Sequence, residues 1–239
     1  MSARKLKRFY DDVSVVPSGN GFEIQLDGKP LRSPEKNTLL LPNAFLGEAV
    51  AEEWRTQEKD ISPPTMPFTK LAFTAADRVA PNRDAVIEQI SAFANSDVIC
   101  YRASEPDDLV KRQKESWDPI LDWADMALGA AMKSGEGIGY VAQDYDALCA
   151  LTETFSEQSD FHLAGLYSLV SIANSLLLAL AVVEEEIGVE DAFRCANCDE
   201  LYQSEKWGVD AEAQARLDER AQEFRVAAEF LNLLRGAPL

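Results

Sequence analysis

The feature that most constrains this chain is a long uncharged stretch, Leu163 to Val183, that contains no Asp, Glu, Lys or Arg. A segment of that length could cross a lipid bilayer as a helix. Ser168, Ser171 and Ser175 recur at helical spacing within it. The acidic run Glu184–Glu186 follows directly, without the basic residues that anchor membrane helices. We therefore expect a helix buried within a multihelical bundle and no membrane insertion.

The segments before residue 80 predict a small sheet covered by one helix. Residues 13–41 are β-rich, with a hairpin turn at Asp27-Gly28 and a last strand over Thr38–Leu41. Asn43 is expected to cap a helix that continues to about Glu58, because apolar side chains, Trp54 included, recur on one face at intervals of four. That apolar face should lie on the sheet.

Helical periods dominate after the proline-rich connector Ser62–Pro67. Asp118-Pro119 is expected to restart a helix as N-cap and first-turn proline, and a further helix is expected from Ala192 to about Lys206. The predicted fold class is α+β. A small N-terminal α+β domain with an antiparallel sheet, residues 1–80, precedes a larger all-α multihelical domain, residues 81–239.

The charge balance excludes two classes of partner. With 41 acidic against 23 basic side chains, the formal net charge is -18, so the protein repels nucleic acid and anionic lipid surfaces. Four scattered cysteines favour a reducing compartment. The N-terminus lacks the apolar run of a secretory signal, so we expect a cytoplasmic protein or an already processed one.

The motif most suggestive of chemistry is the pair Cys195 and Cys198, whose spacing occurs in redox and metal sites. A structural zinc needs four ligands, yet there is no second cysteine pair, and His162 is the only histidine. A thioredoxin-like pair also needs a preceding strand. We therefore expect packed cysteines and no catalytic, cofactor-binding or metal-binding residues. A small thiol-dependent or carboxylate-dependent enzyme stays an alternative.

Short sequence motifs spread along the chain carry a family resemblance. In chain order they include Arg8-Phe9-Tyr10, Leu26 to Leu31, Ala51-Glu52-Glu53-Trp54, Cys100-Tyr101-Arg102, Gln113, Trp117-Asp118-Pro119, Ser175 to Ala181, Asp199-Glu200 with Gln203, and Lys206-Trp207-Gly208. Together they resemble the ATP synthase alpha-subunit assembly chaperones, the "ATP twelve" family of mitochondria and alphaproteobacteria.

The resemblance implies a soluble, non-catalytic chaperone that needs no nucleotide or metal. It would hold the free alpha subunit of F-type ATP synthase, prevent its aggregation, and release it when it pairs with the beta subunit. The free protein would be monomeric, in the cytoplasm of a bacterium or in the mitochondrial matrix. A general acidic holdase or adaptor without a dedicated client is the other alternative.

Three residues are candidates for partner binding. Trp54 could anchor a partner or pack in the core, since aromatic side chains serve both roles. Asp199 and Glu200 are interpreted as contacts for cationic groups on the client, the competing role being salt bridges between helices. Trp207 is expected to pack where two helices meet.

Overall fold

The structure is a computed structural model that describes residues 6–137 and 139–236. The chain forms two compact units that are interleaved in sequence. The first holds the chain up to Arg83, Ser159–Gly165 and the chain from Glu229, and the second holds Asp84–Gln158 and Leu166–Ala228. The division into folding domains 1–80 and 81–239 stays a prediction.

The described part of the first unit contains five short strands. They are β1 (Leu6–Lys7), β2 (Val13–Ser18), β3 (Gly21–Leu26), β4 (Lys29–Pro30) and β5 (Asp60–Ile61). An antiparallel sheet has the order β2-β3-β4, and β1 pairs with β5 in a second antiparallel ladder. Asp27 and Gly28 have φ of 49° and 74°, which confirms the predicted hairpin turn.

The predicted strand over Thr38–Leu41 is wrong. Thr38 forms an isolated bridge with Arg32, and Leu41 forms another with Phe22. Because the two bridges have different partners, the segment builds no continuous ladder.

Two helices complete the N-terminal part of the first unit: α1 (Ala44–Arg55) and α2 (Pro67–Thr74). The Asn43 side chain accepts a hydrogen bond from the Leu46 backbone amide at 2.9 Å, so the predicted N-cap is confirmed. Leu46, Val50 and Trp54 are buried in one apolar core with the sheet, as the spacing of four predicts. The helix ends at Arg55, before the predicted Glu58.

The remaining helices lie mostly in the second unit. They are α3 (Arg83–Ala92), α4 (Asp107–Leu128), α5 (Tyr145–Glu153), α6 (Asp160–Ala173), α7 (Leu176–Val183), α8 (Val189–Ala196), α9 (Cys198–Trp207) and α10 (Ala211–Leu234). Two short strands, β6 (Tyr101–Arg102) and β7 (Gly135–Glu136), pair in parallel. Small antiparallel sheets are thus followed by a larger helical region, which confirms the predicted fold class.

The uncharged stretch forms two helices where a single one was expected. Asn174 has a positive φ of 51° and ends α6, and the Ser175 side chain then caps α7 by accepting from the Leu178 amide at 3.0 Å. Every residue of α7 is buried, as expected for a bundle interior. Across the described residues, no helix combines the length and apolarity needed to span a membrane.

Two helix boundaries also differ from expectation. α4 runs through Pro119 without interruption, so Asp118 does not start a new helix. Its carboxylate instead accepts a hydrogen bond from Arg102 at 2.8 Å. The predicted helix from Ala192 to Lys206 is broken at Asn197, where α8 ends and α9 begins.

Candidate protein-binding surface

Asp199, in the first turn of α9, is an exposed acid whose carboxylate is held by a buried glutamine. Gln113 on α4 is only 1% exposed, and its Nε2 donates to Asp199 Oδ1 at 2.7 Å. The Gln113 Oε1 accepts from the Ala103 backbone amide at 2.8 Å. Since both ends of the glutamine amide are bonded, its orientation is fixed, and Gln113 positions the Asp199 carboxylate at the surface.

Arg102 on β6 supports the same region without neutralising Asp199. Its Nη1 donates to the Gln113 carbonyl at 3.0 Å and its Nη2 to Asp118 Oδ1 at 2.8 Å. The guanidinium also lies 5.1 Å from the centroid of the Trp117 ring, a cation–π geometry. The hydrogen bonds of Arg102 are therefore directed at α4, and the negative charge of Asp199 stays available to pair with another cation.

Glu200, the next residue of α9, has a cationic partner within the same unit. Its Oε2 lies 3.4 Å from Arg220 Nη1 on α10, and Arg220 Nη2 donates to the Ile172 carbonyl at 3.1 Å. The side chains of Arg220 and Glu200 are 37% and 42% exposed. Pairs with this much exposure contribute about 0–1 kcal/mol, so the bridge joins α9 to α10 only weakly.

A shallow groove of about 360 Å³ lies where α9 faces the start of α4. Within it Lys206 Nζ lies 2.6 Å from Asp108 Oδ2, and Tyr202 Oη donates to Asp108 Oδ1 at 2.6 Å. The Lys206 ammonium and the Tyr202 hydroxyl lower the pKa of Asp108 to about 2. Arg112 and Glu205 form a two-bond pair at 2.7 and 2.9 Å. These charges satisfy one another and leave the groove nearly neutral.

Trp54 belongs to the first unit, whereas Asp199 and Glu200 belong to the second. It is 6% exposed, and its ring centroid lies 5.7 Å from that of Tyr10, whose hydroxyl donates to the Trp54 carbonyl at 2.8 Å. Its indole nitrogen is buried and bonds to none of the described residues. This burial favours the packing alternative for Trp54.

Cys195 and Cys198 lie on either side of the α8–α9 junction, and both are buried as free thiols. The prediction that they are packed is confirmed. Burial, helped by the neighbouring Cys198, raises the pKa of the Cys195 thiol to about 11, and burial also raises the pKa of Cys198. A thiol whose pKa is raised is a poor nucleophile at neutral pH. In the parts of the chain that the structure covers, no three His, Cys, Asp or Glu side chains are grouped to hold a metal ion.

The expectation that Trp207 packs between helices is wrong, because its side chain is 78% exposed. The buried side of α9 carries Cys198 and Tyr202. Trp207 follows Tyr202 by five residues and is therefore rotated by about 140° from it around the helix axis. Gly208, with a φ of 96°, ends the helix immediately afterwards.

Sequence reasoning did not assign Gln113, Arg102 or Arg220 to this surface. Gln113 and Arg102 occur among the motifs that carry the family resemblance, but their distance from Asp199 in the sequence does not indicate that they lie near it in the fold. Their roles depend on the packing of α4 beside α9, which local periodicity does not specify.

Comparisons with known proteins give a consistent result. The family model described as ATP12 chaperone protein matches residues 7–125. The protein named "Protein atp12, mitochondrial" of Schizosaccharomyces pombe is 24% identical over 214 residues, which are 84% of this chain and 74% of that protein.

Solved structures extend the likeness to nearly the whole chain. The crystal structure of Atp12 from Paracoccus denitrificans superposes with a TM-score of 0.93 at 36% identity, covering 96% of this chain and 99% of that one. A structure from Agrobacterium tumefaciens has a TM-score of 0.91 at 40% identity and covers 95% of this chain and 85% of its own.

Proposed function

This chain belongs to the ATP12 chaperone family, and on that premise we propose that it is an assembly chaperone of F-type ATP synthase that binds the free alpha subunit. The observation that carries the proposal is the close structural likeness to Paracoccus Atp12 over nearly the full length of both chains. The family resemblance carried by the sequence motifs supports the same client. The chaperone would shield the alpha subunit until it pairs with the beta subunit.

The physical task fits the charge of this protein. An unpaired subunit exposes a surface that its neighbour normally covers, and contiguous exposed apolar surface promotes aggregation. A partner with a formal net charge of -18 keeps the complex soluble, because like-charged complexes repel one another. Transfer of the alpha subunit to the beta subunit requires that the interface between chaperone and alpha subunit be of modest size, since large apolar interfaces are typical of permanent complexes.

We assign Asp199 and Glu200 as client contacts on the second unit. Asp199 is exposed and oriented by Gln113, so it can meet a cationic group without first losing a bond to another charge. Glu200 shares its charge with Arg220 and contributes a weaker attraction. Trp54, the third candidate, would act indirectly by stabilising the core that holds α1.

The protein is proposed to act without catalysis and without a cofactor. The buried thiols with raised pKa values argue against a thiol-dependent enzyme. We place the protein in the bacterial cytoplasm or, for an organellar protein, in the mitochondrial matrix. The relatives from Paracoccus and from fission yeast mitochondria are compatible with these two locations.

The test is a comparison of two clients. We expect the protein to lower the light scattering of isolated alpha subunit at a near-equimolar ratio and to leave isolated beta subunit unprotected, because only the alpha surface is complementary to it. Unchanged scattering of the alpha subunit at excess chaperone would reject the proposed client. Equal protection of both subunits would instead indicate a general holdase.

A further inference from the structure

The outer face of α9 carries three exposed side chains spaced four residues apart. Asp199, Gln203 and Trp207 are all exposed, and residues at intervals of four lie on one side of a helix. The rise of a helix separates the first from the last by about 12 Å along the axis. The face therefore presents an acid near one end, an amide in the middle and an indole at the other end.

Asp199 is also the one charged side chain of α9 for which the described residues supply no oppositely charged partner. Glu200 pairs with Arg220, Glu205 with Arg112, and Lys206 with Asp108. Asp199 receives a hydrogen bond from the neutral amide of Gln113. The outer face of α9 is thus left with one uncompensated negative charge, which favours a partner that supplies a positive one.

Trp207 lies on the same face without a packing role in its own unit. At 78% exposure its indole leaves most of its apolar surface in water, and tryptophan is one of the residue types enriched among interface hot spots. On this face, burial of the indole against a partner would provide affinity, and the charge of Asp199 at the other end would fix the partner's orientation.

We propose that the outer face of α9, formed by Asp199, Gln203 and Trp207, is the docking surface for the alpha subunit, with Trp207 as its apolar anchor. The segment that docks presents a Lys or Arg opposite Asp199 and an apolar recess for the indole about 12 Å further along. This inference rests on the proposed function and specifies the surface through which it acts.

The variant Trp207→Ala tests the anchor, because removal of an exposed side chain should leave the fold intact. We expect its dissociation constant for isolated alpha subunit to rise at least about tenfold, with an unchanged melting temperature. The matched control is Met126→Ala on α4, which removes an apolar side chain that is 82% exposed in the same unit. Its affinity should equal that of the unmodified protein. Trp207→Phe should restore part of the affinity lost in Trp207→Ala.

The outcomes separate this inference from the proposed function. If the unmodified protein binds alpha subunit and Trp207→Ala binds it equally well, the α9 surface is wrong while the chaperone function stands. If the unmodified protein fails to bind alpha subunit, both are overturned. If the unmodified protein self-associates and Trp207→Ala does not, as measured by light-scattering mass, the face joins two copies of this chain and the proposed docking is overturned.

Discussion

Asp199 and Glu200 are neighbours in the sequence but lie in different electrostatic surroundings. Gln113 donates a hydrogen bond to Asp199 and adds no charge, whereas Arg220 lies 3.4 Å from Glu200. A partner's cation would gain the full attraction of Asp199, but at Glu200 it would compete with an arginine already present. Although both residues carry a carboxylate, we therefore expect Asp199 to contribute more to binding than Glu200.

The variants Asp199→Asn and Glu200→Gln form a matched pair that measures this difference. Asparagine at 199 keeps an oxygen to accept from Gln113, so only the charge is lost, and we expect the dissociation constant for alpha subunit to rise about tenfold, which corresponds to about 1.4 kcal/mol. For Glu200→Gln we expect a change below about threefold, and stability should fall by less than about 1 kcal/mol because the lost pair is half exposed.

Isothermal titration measures the affinities in that comparison, and thermal melting measures the stabilities. Equal losses of affinity in both variants would contradict the asymmetry. A marked loss of melting temperature in Glu200→Gln would assign that residue to the α9–α10 contact in place of client binding.

At the scale of elements, two buried carboxylates accept hydrogen bonds from the first turn of a helix to which they do not themselves belong. Glu53 on α1 accepts from the Phe68 and Thr69 amides at the start of α2, both at 2.7 Å. Asp97 does the same for α7, accepting from the Leu177 amide at 3.0 Å. A carboxylate at a helix N-terminus satisfies otherwise unpaired amides. Each unit thus contains a helix whose first turn depends on an acid from another element.

The variant Asp97→Asn tests this dependence in α7. An amide in place of the carboxylate directs N–H groups at backbone donors, so we expect a loss of about 1–3 kcal/mol in the free energy of unfolding. Urea denaturation measures the loss, and Asp122→Asn, an exposed acid on α4, is the control and should change stability little. A loss at Asp122 equal to that at Asp97 would contradict the capping role.

The effect of Asp97→Asn should depend on pH. Burial raises the pKa of Asp97 from its usual value of 3.8 to about 6 in the folded protein. Between these two values the folded protein binds more protons at this residue than the unfolded chain, so its contribution to stability falls as pH rises. The loss measured for Asp97→Asn should therefore be larger at about pH 5 than at about pH 7.

Sequence patterns predicted elements well where local chemistry determines them, and less well where packing does. The Asn43 cap and the Asp27-Gly28 turn follow from residues next to one another, and both are confirmed. The uncharged stretch was correctly predicted to be buried, but its break at Asn174 depends on how α7 meets Asp97. The position of Trp207 on the exposed side of α9 depends on which side of α9 packs against α4.

At the scale of the whole molecule, the net charge of -18 has opposite effects on folding and on binding. Mutual repulsion among the acids destabilises the compact state, while the same field attracts a cationic client surface. Salt bridges of the Glu200–Arg220 kind oppose this repulsion only weakly, since each half-exposed pair contributes about 0–1 kcal/mol. Both the repulsion and the attraction are screened by salt.

Salt should therefore stabilise this protein and weaken its hold on the client. We expect the melting temperature to rise and the affinity for alpha subunit to fall when NaCl is raised from about 0.05 to about 0.5 M, because screening shortens the range of charge interactions below about 10 Å. Asp199→Asn should show the same rise in melting temperature but a weaker dependence of affinity on salt, since it lacks the docking charge. An affinity that does not respond to salt would show that the indole of Trp207 and other apolar contacts carry the binding. A melting temperature that falls with salt would show that surface ion pairs outweigh the repulsion among the acidic side chains.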